Sequence, residues 1–208
     1  MTPEGIIEVA LATHNMDKVR EIRAILEPGG DIRLLSPEEL PAWEEVAETG
    51  ATIEENAQIK ALSVAQALGR LTLADDTALE VEALDGAPGV YSSRYAGPQA
   101  SYADNCRKLL AQMEGVGEGM RGARFRTAVV AAVPDEVLFT VEGSLEGVIA
   151  TESRGESGFG YDPIFLLPQT GKTLAEISLK EKNAISHRFK AFSSAAKKLR
   201  ELAEKGEI

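Results

Sequence analysis

The segment Ile6–Leu26, IIEVALATHNMDKVREIRAIL, decides the architecture. Ile6–Thr13 is an apolar, β-prone run of the kind buried in a sheet. From Met16 onward the apolar period changes, and Val19, Ile22 and Leu26 share one face of a helix. Pro28-Gly29-Gly30 stops that helix, and Ile32–Leu35 reads as a second strand. A strand, a tight turn, a helix and a second strand open an α/β sheet.

The same reading extends along the chain. Ser36–Thr52 is acidic and carries two prolines, so it reads as mostly loop. Thr52-x-x-Glu55 has the pattern of a capping box and opens a helix to about Leu68, ended by Gly69. Leu71–Ala74 is a short apolar strand running straight into Asp75-Asp76. Asp85–Gly97 is rich in glycine and turn residues. Ser101-x-x-Asp104 caps another helix, with Cys106, Leu109, Leu110 and Met113 on one face. Gly115–Gly122 reads as a flexible turn. Phe125–Val133, Val137–Glu142 and Leu145–Thr151 read as three strands of a meander, followed by Ile164–Leu167. Ser178-x-x-Glu181 caps a final helical region whose core face is Phe192, Ala195, Ala196, Leu199 and Leu202. Early alternation followed by a meander predicts an α/β fold with a mixed central sheet flanked by helices, not a purely parallel doubly wound sheet.

Composition limits the function classes. The 208 residues carry 33 acidic and 22 basic side chains, a net charge of −11. That charge argues against polymeric nucleic acid, whose binding depends on cationic contacts to phosphates. It leaves room for a single nucleotide held by a local basic cluster. No run approaches the roughly 18 apolar residues of a membrane span. The N-terminus shows no secretory pattern. The one cysteine, Cys106, allows no intrachain disulfide and reads as a core residue. A soluble cytoplasmic protein without a membrane partner is expected.

Three features carry chemistry. First, Thr13, Asn15 and Lys18 surround a strand-to-helix turn, where unpaired N–H groups and partial positive charge favour phosphate. The plainer reading makes Asn15 a helix cap and Lys18 a solvated lysine. Second, Asp75-Asp76 places two carboxylates at a strand end. Extended geometry points them to opposite faces, so one serves the site and the other supports it. Such a carboxylate can hold Mg²⁺ or accept a proton from water; an Asp-rich turn is the alternative. Glu48 is the second candidate metal ligand, ranked above Glu55 because the helix cap already occupies Glu55. Third, Phe159 and Tyr161 lie among glycines, where a ring can stack on a nucleobase or plug the core. Lys182, His187 and Arg188 then gather positive charge suited to phosphate or to a keto oxygen.

Taken together, LATHNMDKVREI (Leu11–Ile22), ETGATIEENAQIKA (Glu48–Ala61), LADDTALEVEALDGAPGVYSSRYAG (Leu73–Gly97), GFGYDPIF (Gly158–Phe165) and KNAISHRFKA (Lys182–Ala191) resemble the inosine triphosphate/xanthosine triphosphate pyrophosphatase family. The resemblance runs nearly the whole chain, with the blocks in the family's order. It implies a Mg²⁺-dependent enzyme that converts ITP, dITP and XTP to the monophosphate and pyrophosphate. It also implies a single catalytic domain over 1–208, an elongated sheet, two lobes with a cleft between them, and a homodimer. Asp76 is implied as general base and Mg²⁺ ligand. Thr13, His14, Asn15, Met16, Asp17 and Lys18 are implied around the triphosphate, with Lys60 and Thr77 assisting. Phe159, Gly160, Tyr161 and Asp162, with Lys182, His187 and Arg188, are implied as base and phosphate contacts. His14 stands where the family commonly has glycine, Thr77-Ala78 where Ser-Gly is usual, and Phe189 where glycine often follows His-Arg. The rivals are a related pyrophosphatase acting on pyrimidine or modified nucleotides, a non-catalytic nucleotide-binding or regulatory protein, and a purely structural or interaction protein.

Overall fold

A computed structural model describes residues 5–208. Strands β1 (Ile7–Leu11), β2 (Ile32–Leu35), β3 (Thr72–Val81), β4 (Pro88–Gly89), β5 (Gly122–Val133), β6 (Glu136–Ile149), β7 (Phe165–Leu167) and β8 (Lys172–Thr173) form one open sheet. Its order is β2-β1-β3-β5-β6-β7-β8, with β4 on β3. β1 runs parallel to β2 and β3, whereas β3–β4, β6–β7 and β7–β8 are antiparallel. The helices are α1 (Met16–Leu26), α2 (Ile53–Leu68), α3 (Tyr102–Gln112), α4 (Leu179–Ile185) and α5 (His187–Lys205). The mixed sheet flanked by helices is the expected fold class. Among the described residues, no helix is long and apolar enough to cross a membrane.

The chain divides into two compact units. Among the described residues, unit 1 comprises 5–76, 127–143 and 187–208, and unit 2 comprises 77–126 and 144–186. The core of unit 1 joins Val9 and Leu11 of β1, Val19, Ile22 and Leu26 of α1, and Phe192, Ala195 and Leu199 of α5. The helical stripe read from the sequence is therefore its buried face. In unit 2, Cys106, Leu109 and Met113 of α3 pack with Phe125, Phe165, Ile164 and Tyr161. Burial and the neighbouring charge of Asp162 push the Cys106 thiol up to about 11, which leaves it a packing residue.

Several boundaries differ from the sequence reading. β3 does not end before Asp75-Asp76 but continues to Val81. Its pairing with β1 stops at Leu73, but β5 is its neighbour on the other side, and β4 pairs with it at Leu79 and Glu80. The two acids therefore lie within the strand, just beyond its parallel neighbour. The two strands expected between Val137 and Thr151 are one, β6. Gly143 is not a break there: a Cβ at this position collides with backbone atoms of His187 and Ala191, so glycine admits α5 at close range. The Thr52 hydroxyl accepts from Glu55 N–H (3.1 Å), but the Glu55 carboxylate turns back to Ala51 N–H (2.6 Å), so the box is only half closed. The final helical region is split by the buried, extended Ser186. The 115–122 turn contains a short 3₁₀ segment (Glu118–Met120) and ends on buried Arg121, which donates to the carbonyls of Met113, Val116, Ile149 and Ala150. An arginine satisfied by four carbonyls staples this part of unit 2.

Candidate active site

Unit 1 holds most of the expected residues. The turn after β1 carries Thr13, His14 and Asn15. Asn15 Oδ1 accepts from the N–H groups of Asp17 (3.0 Å) and Lys18 (3.3 Å), and Thr13 Oγ1 accepts from Asn15 N–H (3.2 Å). Asn15 is thus the cap of α1, as its residue type favours. Lys18 is not a solvated lysine. Its Nζ lies 2.9 Å from Asp75 Oδ2, and its side chain is 16% exposed. Met16 is exposed at the helix start, and Asp17 lies 3.4 Å from Arg20 on the same helix.

The adjacent acids serve different neighbours, as alternation along a strand requires. Asp75 is fully buried and faces Lys18, with Arg188 Nε at 3.8 Å. Arg188 is itself held by Glu21, Nη1 to Oε2 at 2.6 Å, with both side chains buried. Burial works against ionisation of Asp75, but the Lys18 and Arg188 charges outweigh it and hold its carboxyl at about 2. Lys18 shows the opposite balance: burial lowers its pKa despite Asp75.

Asp76 Oδ1 lies 3.3 Å from Lys60 Nζ, and its Oδ2 accepts from Asn56 Nδ2 at 3.3 Å. Lys60 also reaches Glu48 Oε1 at 2.7 Å, so the two carboxylates converge on one ammonium. Burial, together with the negative charge of Glu48, raises the Asp76 pKa despite Lys60. Burial opposes the charge on Lys60 too, but there the two carboxylates prevail and raise its pKa. A carboxylate made more basic in this way is suited to proton transfer.

Asn56 and Gly50 complete the arrangement. Asn56 is fully buried, and its Oδ1 accepts from Gly50 N–H at 2.8 Å while its amide nitrogen holds Asp76. A Cβ on Gly50 meets Glu55 Cβ at 2.7 Å and Asn56 Oδ1 at 2.8 Å, so glycine is required by close approach. Spacing along the chain puts Asn56 in the first turn of α2 and assigns it no partner. The available signal was a poor helix former beside the Glu-Thr-Gly turn. Glu21 was missed because it lies one position from the apolar stripe and reads as a surface residue.

The Glu48–Asp76 pair also bears on the metal. Among the described residues, no group of three or more His, Cys, Asp or Glu side chains is arranged to hold an ion. Mg²⁺ does not need one, because it commonly takes one or two carboxylates and completes its shell with water and substrate phosphate oxygens. Two carboxylates already sharing one cation, the Lys60 ammonium, form an all-oxygen donor pair that fits it.

Unit 2 holds the other expected residues. Thr77 follows Asp76 on β3. Asp162 is buried; its Oδ2 accepts from Phe159 N–H (2.9 Å) and pairs closely with the buried Lys182 ammonium. Lys182 Nζ is also 5.0 Å from the centre of the half-buried Phe159 ring, and the Tyr102 ring is 5.7 Å away. Tyr161 packs in the core, its hydroxyl donating to Ser92 carbonyl at 2.9 Å, and burial raises its pKa. Gly160 has a left-handed φ of 64°, and its carbonyl lies 3.3 Å from Cys106 Sγ. His187 is buried at the start of α5, in unit 1 with Arg188.

These features define an open mixed α/β protein that carries two neighbouring buried carboxylates, Asp75 facing Lys18 and Arg188 and Asp76 facing Lys60 and Asn56. The chain belongs to the Ham1 family, whose model matches residues 9–198. It is 48% identical over 198 residues to the dITP/XTP pyrophosphatase of Bacillus subtilis strain 168, covering 95% of this chain and 97% of that one. Among solved structures, the Ham1 protein of Staphylococcus aureus is 39% identical with a TM-score of 0.80, covering 93% of this chain and 98% of that one. A HAM1 protein from Coxiella burnetii is also 39% identical, with a TM-score of 0.81 over 94% and 100% of the two chains.

Proposed function

We propose that this chain hydrolyses the deaminated purine nucleoside triphosphates dITP, XTP and ITP to the monophosphate and pyrophosphate. The observation that carries the reading is the Asp76 carboxylate, buried, raised in pKa and held between Lys60 and Asn56 beside Glu48. Its kinship with a dITP/XTP pyrophosphatase over nearly the full length of both chains supports the same reading. The reading includes a homodimer and Mg²⁺ held by Asp76, as the family resemblance implies, with Glu48 as the second ligand and a cytoplasmic location.

In this scheme the turn at Thr13–Lys18 and the Lys60 ammonium receive phosphate oxygens, and Asp76 accepts the proton of the attacking water. When bound, Mg²⁺ supplies charge neutralisation on the phosphates and makes the water more acidic. Discrimination falls on the purine 6-position, where hypoxanthine and xanthine carry a keto acceptor and adenine an amino donor. N–H donors aimed at that position leave donor facing donor with adenine, a mismatch that gives large selectivity when buried.

The deciding measurement is pyrophosphate release from ITP, XTP, dITP, GTP, ATP, CTP and UTP, each with Mg²⁺ and with excess EDTA. Strong release from the first three, little from ATP and none with EDTA is expected. Release mainly from pyrimidine nucleotides would transfer the protein to the rival enzyme class, and nucleotide binding without release would make it a binding protein.

The half-buried Phe159 is proposed to stack on the base. Phe159→Ala is expected to raise KM for ITP by about 5- to 150-fold with little change in kcat, since an aromatic–base stack contributes roughly 1–3 kcal/mol. An unchanged KM would remove Phe159 from base recognition.

A further inference from the structure

His14 puts an aromatic ring into the turn that the scheme above uses for phosphate oxygens. The structure gives it a partner. His14 stacks on Trp43, with ring centres 4.7 Å apart and planes inclined by 27°. Both residues lie in unit 1. Trp43 is half-buried although its chain neighbours are exposed, and it belongs to the stretch 41–52, which has no helix or strand.

Five residues after Trp43 stands Glu48, bound to Lys60 at 2.7 Å. Two residues further on, Gly50 N–H is fixed by Asn56. The downstream end of this stretch is thus tied to α2 by polar contacts, and its upstream end is tied to the Thr13–Asn15 turn by the ring stack. We propose that the His14–Trp43 stack is a clasp that positions Glu48 beside Asp76, which makes Trp43 a positioning residue for the carboxylate pair.

A segment without ladder hydrogen bonds has little to offset its backbone entropy. Tryptophan provides a large contact area with few rotatable bonds, so one stack restrains a segment efficiently. Releasing it lengthens the free chain upstream of Glu48 and lets that carboxylate leave Lys60. A displacement of about 1 Å at a charged catalytic group is enough to reduce function markedly. The catalytic consequence rests on the proposed pyrophosphatase reading; the clasp itself does not.

The test compares the full-length protein with Trp43→Ala, Trp43→Phe, His14→Ala and the Trp43→Ala/His14→Ala double variant. Amide hydrogen exchange over residues 44–49 is expected to rise about 3- to 10-fold in each alanine variant, the effect of losing one aromatic stack. The double variant should be no worse than either single one, because both remove the same contact. The Mg²⁺ concentration for half-maximal ITP turnover is expected to rise by a similar factor, with a smaller change in kcat, and Trp43→Phe should restore most of it. Trp43 is the only tryptophan of the chain, so His14→Ala should also alter its fluorescence. Unchanged exchange over 44–49 overturns the clasp. Faster exchange with unaltered Mg²⁺ dependence overturns the positioning role. If the wild-type protein releases no pyrophosphate from any nucleotide, the proposed activity fails, and the clasp is decided by exchange and fluorescence alone.

Discussion

Asp76→Asn is expected to lower kcat for ITP by about 10²- to 10⁴-fold while leaving the fold intact, the usual contribution of a positioned general base. The asparagine keeps the shape and both polar positions, so its contact with Asn56 can re-form. It loses the negative charge that faces Lys60, and with it the basicity that burial gives the carboxyl. Burial of the charged form is a cost to folding at this site, so an unfolding midpoint equal to or above that of the wild type is expected. KM should change far less than kcat, because Lys18 and Lys60 remain to receive phosphate oxygens. Near wild-type turnover in Asp76→Asn would sink the assignment of the base.

The largest stability effect is expected at Glu21. Arg188 and Glu21 form a buried pair at 2.6 Å, with side chains only 3% and 4% exposed. Removing one partner leaves a buried charge without its counter-ion, which costs roughly 3–5 kcal/mol. Glu21→Ala should therefore shift urea unfolding by a large part of the ~5–15 kcal/mol that stabilises a typical domain. Asp75 remains 3.8 Å from Arg188 Nε but already shares its charge with Lys18. The companion variant Glu21→Leu/Arg188→Met replaces both charges with apolar groups of similar size. It should recover most of the lost stability, since apolar replacement of a whole buried pair is often neutral or better. A urea midpoint for Glu21→Ala within error of wild type would show that the pair contributes nothing to the fold.

Local signals carried much of the architecture. The change of period at Met16 marked α1 to the residue, because a helix buries every third or fourth position whatever it packs against. Ser101 and Ser178 marked helix starts correctly, since a cap acts within four residues. The structure departs from local signals where a distant strand or helix decides a local outcome. β3 runs on through Asp75-Asp76 because it has β5 as its other neighbour in the sheet and β4 farther along, and Gly143 lies within β6 because α5 approaches its backbone. The half-closed box at Thr52 arose because Ala51 N–H, one residue before the cap, captured the Glu55 carboxylate.

By itself the sequence determined the α/β class, the strand–turn–helix that carries Thr13–Lys18, and the presence of two adjacent carboxylates on opposite faces of a strand. Those properties follow from spacing along the chain. Only the tertiary structure decided which charge answers which. Lys18 and Arg188 meet Asp75, Lys60 joins Asp76 to Glu48, Glu21 anchors Arg188, and Asn56 ties Asp76 to the Gly50 turn. Residues up to 167 positions apart make these pairs, and periodicity within an element holds no record of them. The two carboxylates are identical in sequence. One is driven down to about 2 and the other upward because burial is outweighed by Lys18, Arg188 and Lys60 at Asp75, whereas at Asp76 the charge of Glu48 joins burial against Lys60 and Lys18.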